Sequence, residues 1–173
     1  MNKIGIFYGP KKGSVSKIAQ IMHNELGESR ADLHAIKDCP VQTLNNYDKL
    51  IFGISTLGRT TWDSEHDDDD WDVFFPNLDK VNWTGKKVAI YGLGDQINYS
   101  DHFVDAIGWL FEKLITLKVE VVGFVSPDEF DFNDSEAFID GNFVGLPLDE
   151  DNEPEKSEQR VKKWLVELEK EGF

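Results

Sequence analysis

The 173 residues form a chain long enough to bury the core of one domain, and its 40% hydrophobic and 29% charged residues are typical of a folded, soluble protein. The net charge of −15 disfavours nucleic acid as a partner, because phosphates attract Lys and Arg, and favours proteins with basic faces. A single cysteine excludes an intrachain disulfide, and no apolar run approaches the roughly 20 residues of a membrane helix. A strand-like segment from Lys3 leaves no room for a signal peptide. We therefore expect a cytoplasmic protein without a membrane partner.

Strand-like apolar runs alternate along the chain with segments of helical periodicity. The strand-like runs cover residues 3–8, 31–36, 49–54, 87–91 and 119–125. Apolar residues recur at helical spacing from Val15 to Leu26, from Phe103 to Leu114 and from Val161 to Leu168. This alternation predicts one α/β domain over residues 1–173, with helices on both faces of a parallel sheet. Ligands of such sheets bind beyond the carboxyl ends of the strands, which here are the loops 9–15, 55–70 and 92–102.

The turn from the first strand into the first helix has the composition of an anion site. Its residues are Gly9, Pro10, Lys11, Lys12, Gly13, Ser14 and Val15. Such a turn directs unpaired N–H groups and the positive end of a helix dipole at one point, where a phosphate fits. Lys11 or Lys12 would add a positive charge, and Ser14 and Ser16 would add hydroxyl donors. The spacing matches neither the NTPase P-loop nor the dinucleotide motif, and from this segment alone a tight turn without a ligand is an equally good interpretation.

Five segments, in order and at matching spacing, resemble the long-chain flavodoxins over nearly the whole chain. They are I-G-I-F-Y-G at 4–9, Y-D-K-L-I-F-G at 47–53, G-K-K-V-A-I-Y-G-L-G-D-Q at 85–96, F-D-F-N-D-S-E-A at 130–137 and F-V-G-L-P-L-D-E-D-N at 143–152. The resemblance implies a flavodoxin-like three-layer sandwich around a five-stranded parallel sheet of order 2-1-3-4-5. It also implies that an insertion, at residues 126–142, splits the last strand.

The resemblance further implies one flavin mononucleotide (FMN), bound without a covalent link. The phosphate would lie in the loop of residues 9–15, and the ring would lie between the second and third loops. The ring-binding positions carried over are Ser55, Thr56, Leu57 and Gly58 in the second loop and Leu93, Gly94, Asp95, Tyr99 and His102 in the third. Tyr99 matches the aromatic residue that stacks on the outer ring face. Asp151 matches an acid near the ribityl chain, although a solvated acid explains it equally well.

Two of the loops depart from the usual pattern of the family. Pro10, Lys12 and Val15 occupy positions where hydroxyl residues are usual, and each hydrogen bond lost to a charged group costs about 1.5–3 kcal/mol. We therefore expect weaker or altered phosphate binding, with riboflavin as a candidate ligand. In the second loop, Leu57 would cover the ring without stacking, and Gly58 would flip easily to hold the half-reduced flavin. The acidic run at 67–70 would cap a helix, dock a basic partner, or both, or it would simply form a solvated loop.

These features predict a monomeric, low-potential one-electron carrier that shuttles between a reductase and an acceptor enzyme, both with basic faces. Two alternatives remain open at this point. One is a flavodoxin-like module whose altered phosphate loop binds another flavin or ligand, or serves no redox purpose. The other is a flavin-dependent reductase, although the sequence shows no clear substrate pocket or dimer face. The four histidines show no metal-ligand spacing, so we expect neither a metal site nor catalytic residues.

Overall fold

A computed structural model describes residues 2–55 and 70–173 of the chain. In this part of the chain, the strands are β1 Ile4–Gly9, β2 Ala31–Ala35, β3 Lys49–Ile54, β4 Lys87–Leu93, β5 Glu120–Val122, β6 Phe138–Ile139, β7 Asn142–Phe143 and β8 Leu146–Leu148. The α-helices are α1 Ser14–Leu26, α2 Asp70–Phe74, α3 Asp105–Thr116 and α4 Pro154–Lys170. Short 3₁₀ turns cover Ile36–Asp38, Val41–Asn46 and Phe75–Lys80.

The main sheet is parallel and its strand order is β2-β1-β3-β4-β5, which confirms the predicted α/β topology. Its three central strands are in register, so that Gly9 at the end of β1 lies beside Ile54 of β3, and Ile54 lies beside Gly92 of β4. The loops that follow β1, β3 and β4 therefore leave the sheet side by side at one edge. This is the edge at which parallel sheets bind their ligands.

The last strand of the sheet is split, as the resemblance implied. The strand β5 pairs with the first half of β4, whereas β8 pairs with the second half of β4, where Leu93 faces Leu148. The strand predicted at 119–125 ends at Val122, because Val125 instead exchanges backbone hydrogen bonds of 2.9 and 2.8 Å with Phe143. The inserted segment between β5 and β8 thus carries its own antiparallel pair, β6 with β7.

Apolar side chains alternate between the two faces of the sheet and build a core on each. On one face, Phe52 and Ile90 pack with Leu110 of α3 and with Trp71 of α2. On the other face, the buried residues come from β1, β3 and β4 together with α1 and α4; they include Ile6, Ile51, Ile18, Met22, Trp164 and Leu168. Helices therefore cover both faces, which explains why the central strands read as nearly continuous apolar runs. Of the helices in the described residues, none combines the length and apolar character needed to span a membrane.

Candidate functional site

The loop after β1 presents an open helix amino end. Gly13 precedes α1 with φ of 101°, a conformation that favours glycine, and a Cβ added there would meet no atom within 4 Å. Among the described residues, no side chain caps this end of the helix. Lys11, Lys12 and Ser14 are exposed, whereas Val15 is buried. The backbone of the loop is therefore accessible to a ligand, and the helix dipole favours an anion there.

The two lysines of the loop differ in their surroundings. The Lys11 ammonium forms an ion pair with the carboxylate of Asp38, and the hydrogen bond and charge of Asp38 raise the pKa of Lys11. Lys12, by contrast, forms no ion pair with any residue that the structure describes. No described carboxylate therefore competes with an incoming anion for Lys12.

The loop after β4 is folded around the carboxylate of Asp95. This carboxylate accepts hydrogen bonds from the backbone N–H groups of Ile97 and Asn98, at 3.0 and 2.8 Å, and from the Asn98 side-chain amide at 2.8 Å. The hydrogen bond from the Asn98 backbone leads these effects, which together outweigh burial and lower the pKa of Asp95 to about 2. The fold of this loop leaves Tyr99 66% exposed and Ile97 68% exposed. An aromatic ring and an aliphatic side chain are therefore open to a planar ligand.

A second carboxylate, that of Asp149, joins this loop to the turn after β8. Asp149 has no exposed surface. Its carboxylate accepts hydrogen bonds from the backbone N–H and the side-chain amide of Gln96, at 3.1 and 3.0 Å. It also accepts from the backbone N–H groups of Asp151 and Asn152, at 3.2 and 3.0 Å, and from the Asn152 side chain. The Asn152 amide in turn reaches Asp95 at 2.9 Å, so the two turns form one network.

Sequence reasoning did not identify Gln96, Asp149 or Asn152 as site residues, although all three lie in the motifs that carried the resemblance. Asp151, which it did identify, is exposed as a whole residue. Partial desolvation of its carboxyl group, together with the negative charges of Asp95, Asp149 and Glu150, raises the pKa of Asp151. Its predicted position near a ribityl chain stays a prediction.

The remaining predicted residues lie in three situations. His102 is largely exposed, and its Nδ1 lies 2.9 Å from the carboxylate of Asp105. Ser55 is half-buried at the end of β3. Thr56, Leu57 and Gly58 of the second loop lie outside the described residues, as does most of the acidic run at 67–70. Within the described ranges, no group of three or more His, Cys, Asp or Glu side chains is arranged to hold a metal ion.

We predict that acid destabilises this end of the molecule. Burial raises the pKa of Glu153, but hydrogen bonds from Lys156, Arg160 and Gln96 outweigh it and lower the pKa to about 2. The pKa of Asp95 is likewise about 2. The ordinary values are 4.5 for the glutamate and 3.8 for the aspartate, so both pKa values are lowered. Both groups therefore add stability above their unfolded pKa, and that stability is lost as the pH falls from about 5 to about 2. Denaturant unfolding of the apoprotein over this range should show a falling free energy of unfolding.

The matched variant for this prediction is Asp95→Asn, which removes one of the two carboxylates. Its free energy of unfolding should fall less steeply with pH than that of the unmodified protein. An identical slope in both proteins would show that Asp95 does not contribute.

Comparison with known proteins gives a consistent result. A family model described as Flavodoxin matches residues 6–164. A flavodoxin from Nostoc sp. is 42% identical over 169 residues, covering 98% of this chain and 96% of the relative, and one from Synechococcus elongatus is 42% identical over 172 residues, covering 99% and 98%. The crystal structure of Fusobacterium nucleatum flavodoxin bound to flavin mononucleotide has a TM-score of 0.86 at 27% identity and covers 99% of both chains. An oxidised flavodoxin from Bacillus cereus, with 22% identity, a TM-score of 0.65 and coverage of 97% and 99%, shares the fold.

Proposed function

The chain belongs to the flavodoxin family, and we propose from the geometry of its site how it performs one-electron transfer with FMN. It is an electron carrier rather than an enzyme. The observation that carries the proposal is the alignment of Gly9, Ile54 and Gly92, which brings three loops to one sheet edge. One of these loops offers a helix amino end that no described side chain caps, and another offers an exposed Tyr99. Such a pair of features fits a planar ring that bears a phosphate.

We assign the phosphate to the loop from Gly9 to Val15. The accessible backbone around Gly13, the dipole of α1 and the charge of Lys12, which no described carboxylate pairs, all favour a dianion there. Pro10 has no N–H to donate, and the side chain of Val15 is apolar and buried. The loop therefore offers fewer donors than the hydroxyl-rich loops usual in the family, and we infer a weaker grip on the phosphate.

We assign the ring to the loop of residues 93–102 together with the second loop, at Ser55, Thr56, Leu57 and Gly58. FMN, when bound, supplies the redox chemistry, whereas the protein binds it and tunes it. Tyr99 offers a face for stacking, and the backbone of Leu93, Gly94 and Asp95 is held by the Asp95–Asp149 network and by the bond from the Gly94 N–H to the Leu148 carbonyl. The carboxylates of that network repel the negative charge that reduction adds to the ring, and this repulsion lowers the reduction potential of the bound flavin.

We further propose that the partners are redox proteins with basic faces, met by a monomer in the cytoplasm. Support comes from the net charge of −15, and from exposed acids on the inserted segment and on the loop after β4. These acids include Asp101, Asp128, Asp131 and Asp134. A negative surface around the site steers a basic partner toward it and does so less at high salt.

The direct test is titration of the apoprotein with FMN, followed by stepwise reduction under anaerobic conditions. We expect saturable binding with a perturbed flavin spectrum and two separate one-electron potentials. Riboflavin, titrated in parallel, measures the contribution of the phosphate. A protein that takes up neither flavin at saturating concentration would contradict the proposed function. NADPH or NADH oxidation without an added partner protein would instead favour a reductase.

The unequal surroundings of the two loop lysines lead to a further prediction. Lys12→Met should weaken FMN binding by roughly 3- to 10-fold, because it removes a cation next to a dianion. Lys11→Met should change FMN affinity by less than about twofold, since Asp38 already occupies that ammonium. Isothermal titration at low salt measures both constants, and riboflavin affinity should change in neither variant. An equal loss in the two variants would show that Lys11 leaves Asp38 when the phosphate binds.

The exposure of Tyr99 leads to a prediction about the ring. Tyr99→Ala should weaken both FMN and riboflavin by roughly tenfold, because stacking adds about 0.5–1.5 kcal/mol to the burial of apolar area. Tyr99→Phe keeps the ring and should bind both flavins nearly as well as the unmodified protein. Fluorescence quenching during titration gives both affinities. A loss confined to FMN would place Tyr99 at the phosphate rather than at the ring.

A further inference from the structure

An acidic side chain lies against the phosphate loop. The carboxylate of Asp70, the first residue of α2, accepts a hydrogen bond from the backbone N–H of Lys11 at 3.0 Å. The Asp70 side chain also packs closely against the start of the loop, since a Cβ added to Gly9 would lie 3.1 Å from the Asp70 Cβ. Asp70 is thus brought to the loop from a position 59 residues further along the chain.

This contact reduces what the loop offers to an anion. Pro10 has no N–H, the N–H of Lys11 is used by Asp70, and the ammonium of Lys11 is used by Asp38. A carboxylate that binds an amide of a phosphate loop also places a negative charge where a dianion would lie. Repulsion between the two charges weakens the binding of a phosphorylated ligand and leaves the binding of an unphosphorylated one unchanged.

We propose that Asp70 is a specificity-determining residue, which lowers the preference of the site for phosphorylated over unphosphorylated flavin. The inference rests on the proposed function, since it concerns the same flavin site. The carboxylate of Asp70 occupies the Lys11 N–H, which would otherwise donate to the phosphate, and its negative charge repels the phosphate. The helix dipole and Lys12 favour FMN over riboflavin, and Asp70 makes this difference in affinity smaller.

The variant Asp70→Asn separates the charge from the hydrogen bond. The amide oxygen of Asn accepts from the Lys11 N–H as the carboxylate does, so the loop keeps its conformation while the negative charge is removed. The matched control is Asp72→Asn, which makes the same change in net charge on an exposed residue of the same helix. A second variant, Asp70→Ala, removes both the charge and the acceptor.

The experiment measures dissociation constants for FMN and riboflavin with each apoprotein at low ionic strength. We expect Asp70→Asn to bind FMN about tenfold more tightly and riboflavin within about twofold of the unmodified protein, whereas Asp72→Asn should change neither by more than about twofold. The gain for FMN should shrink at high salt. With Asp70→Ala, the ratio of the two affinities should move in the same direction even if both affinities fall with the loop's support.

Three outcomes would overturn the inference. Equal changes for the two flavins, equal changes in the Asp70 and Asp72 variants, or weaker FMN binding by Asp70→Asn would each show that the carboxylate does not discriminate against phosphate. These results differ from a failure of the proposed function, in which the unmodified protein and every variant would bind neither flavin.

Discussion

Replacement of Asp149 by Ala is expected to weaken FMN binding by at least about 100-fold, which corresponds to about 2.7 kcal/mol. The Asp149 carboxylate is fully buried and accepts hydrogen bonds from backbone or side-chain groups of Gln96, Asp151 and Asn152. Ala leaves these donors without their acceptor, and each buried donor left unpaired costs about 1–3 kcal/mol. The loop after β4 and the turn after β8 should then separate and lose the conformation that the ring requires.

The matched variant is Asp149→Asn, which keeps one acceptor oxygen in place. It should retain part of the affinity and should bind FMN more tightly than Asp149→Ala does. Titration with FMN and with riboflavin should show the same fractional loss for both ligands, because the network supports the ring and not the phosphate. Urea unfolding of the apoprotein measures the accompanying loss of stability. Unchanged flavin binding by Asp149→Ala would contradict the view that this carboxylate organises the site.

The strands were predictable because their signal is local. In a parallel sheet covered on both faces, central strands are nearly continuous apolar runs, and the run at 49–54 coincides with β3. The run at 119–125 was longer than β5, since nothing in its composition shows that Val125 pairs with Phe143 of the inserted segment. Only the fold brings these two residues together.

The same contrast holds at the site. The phosphate loop was predictable from one contiguous turn, with Gly13 at the start of α1. The contacts of Asp149 with Gln96 and of Asp70 with Lys11 were not predictable, because each joins residues more than fifty positions apart in the sequence. In the sequence Asp149 belongs to a short acidic run, and Asp151 was chosen from that run. Which acid is buried depends on how β8 pairs with β4, and a local pattern does not contain that information.

The inserted segment between β5 and β8 also supports the loop after β4. The N–H of Asp131 donates to the Gln96 side chain at 2.8 Å, and the N–H groups of Asn133 and Asp134 donate to the Ser100 carbonyl at 2.8 and 2.9 Å. The Gln96 side chain therefore joins the insertion to Asp149. The split of the last strand thus places a segment of chain along the ring-binding loop, where it restrains the loop before a ligand arrives.

The fit of this segment against α3 depends on Gly108, and Gly108→Ala is expected to destabilise the protein by about 2–3 kcal/mol. In an ordinary helix the same change stabilises by roughly 1 kcal/mol, so the sign of the effect is the diagnostic result. A Cβ at Gly108 would lie 2.3 Å from the carbonyl oxygen of Glu136 and 2.9 Å from the N–H nitrogen of Ala137. Both contacts are with backbone, which cannot rotate aside, so the insertion must move away from the helix.

The matched control is Glu112→Ala on the exposed side of the same helix, which should change the free energy of unfolding by no more than about 0.5 kcal/mol. Urea unfolding of the three apoproteins gives the comparison. Because the insertion restrains the loop of residues 93–102, Gly108→Ala should also weaken FMN and riboflavin alike. A Gly108→Ala protein more stable than the unmodified one would mean that the helix and the insertion do not pack closely in solution. Lost stability with unchanged flavin affinity would mean that the insertion supports the core without restraining the ring-binding loop.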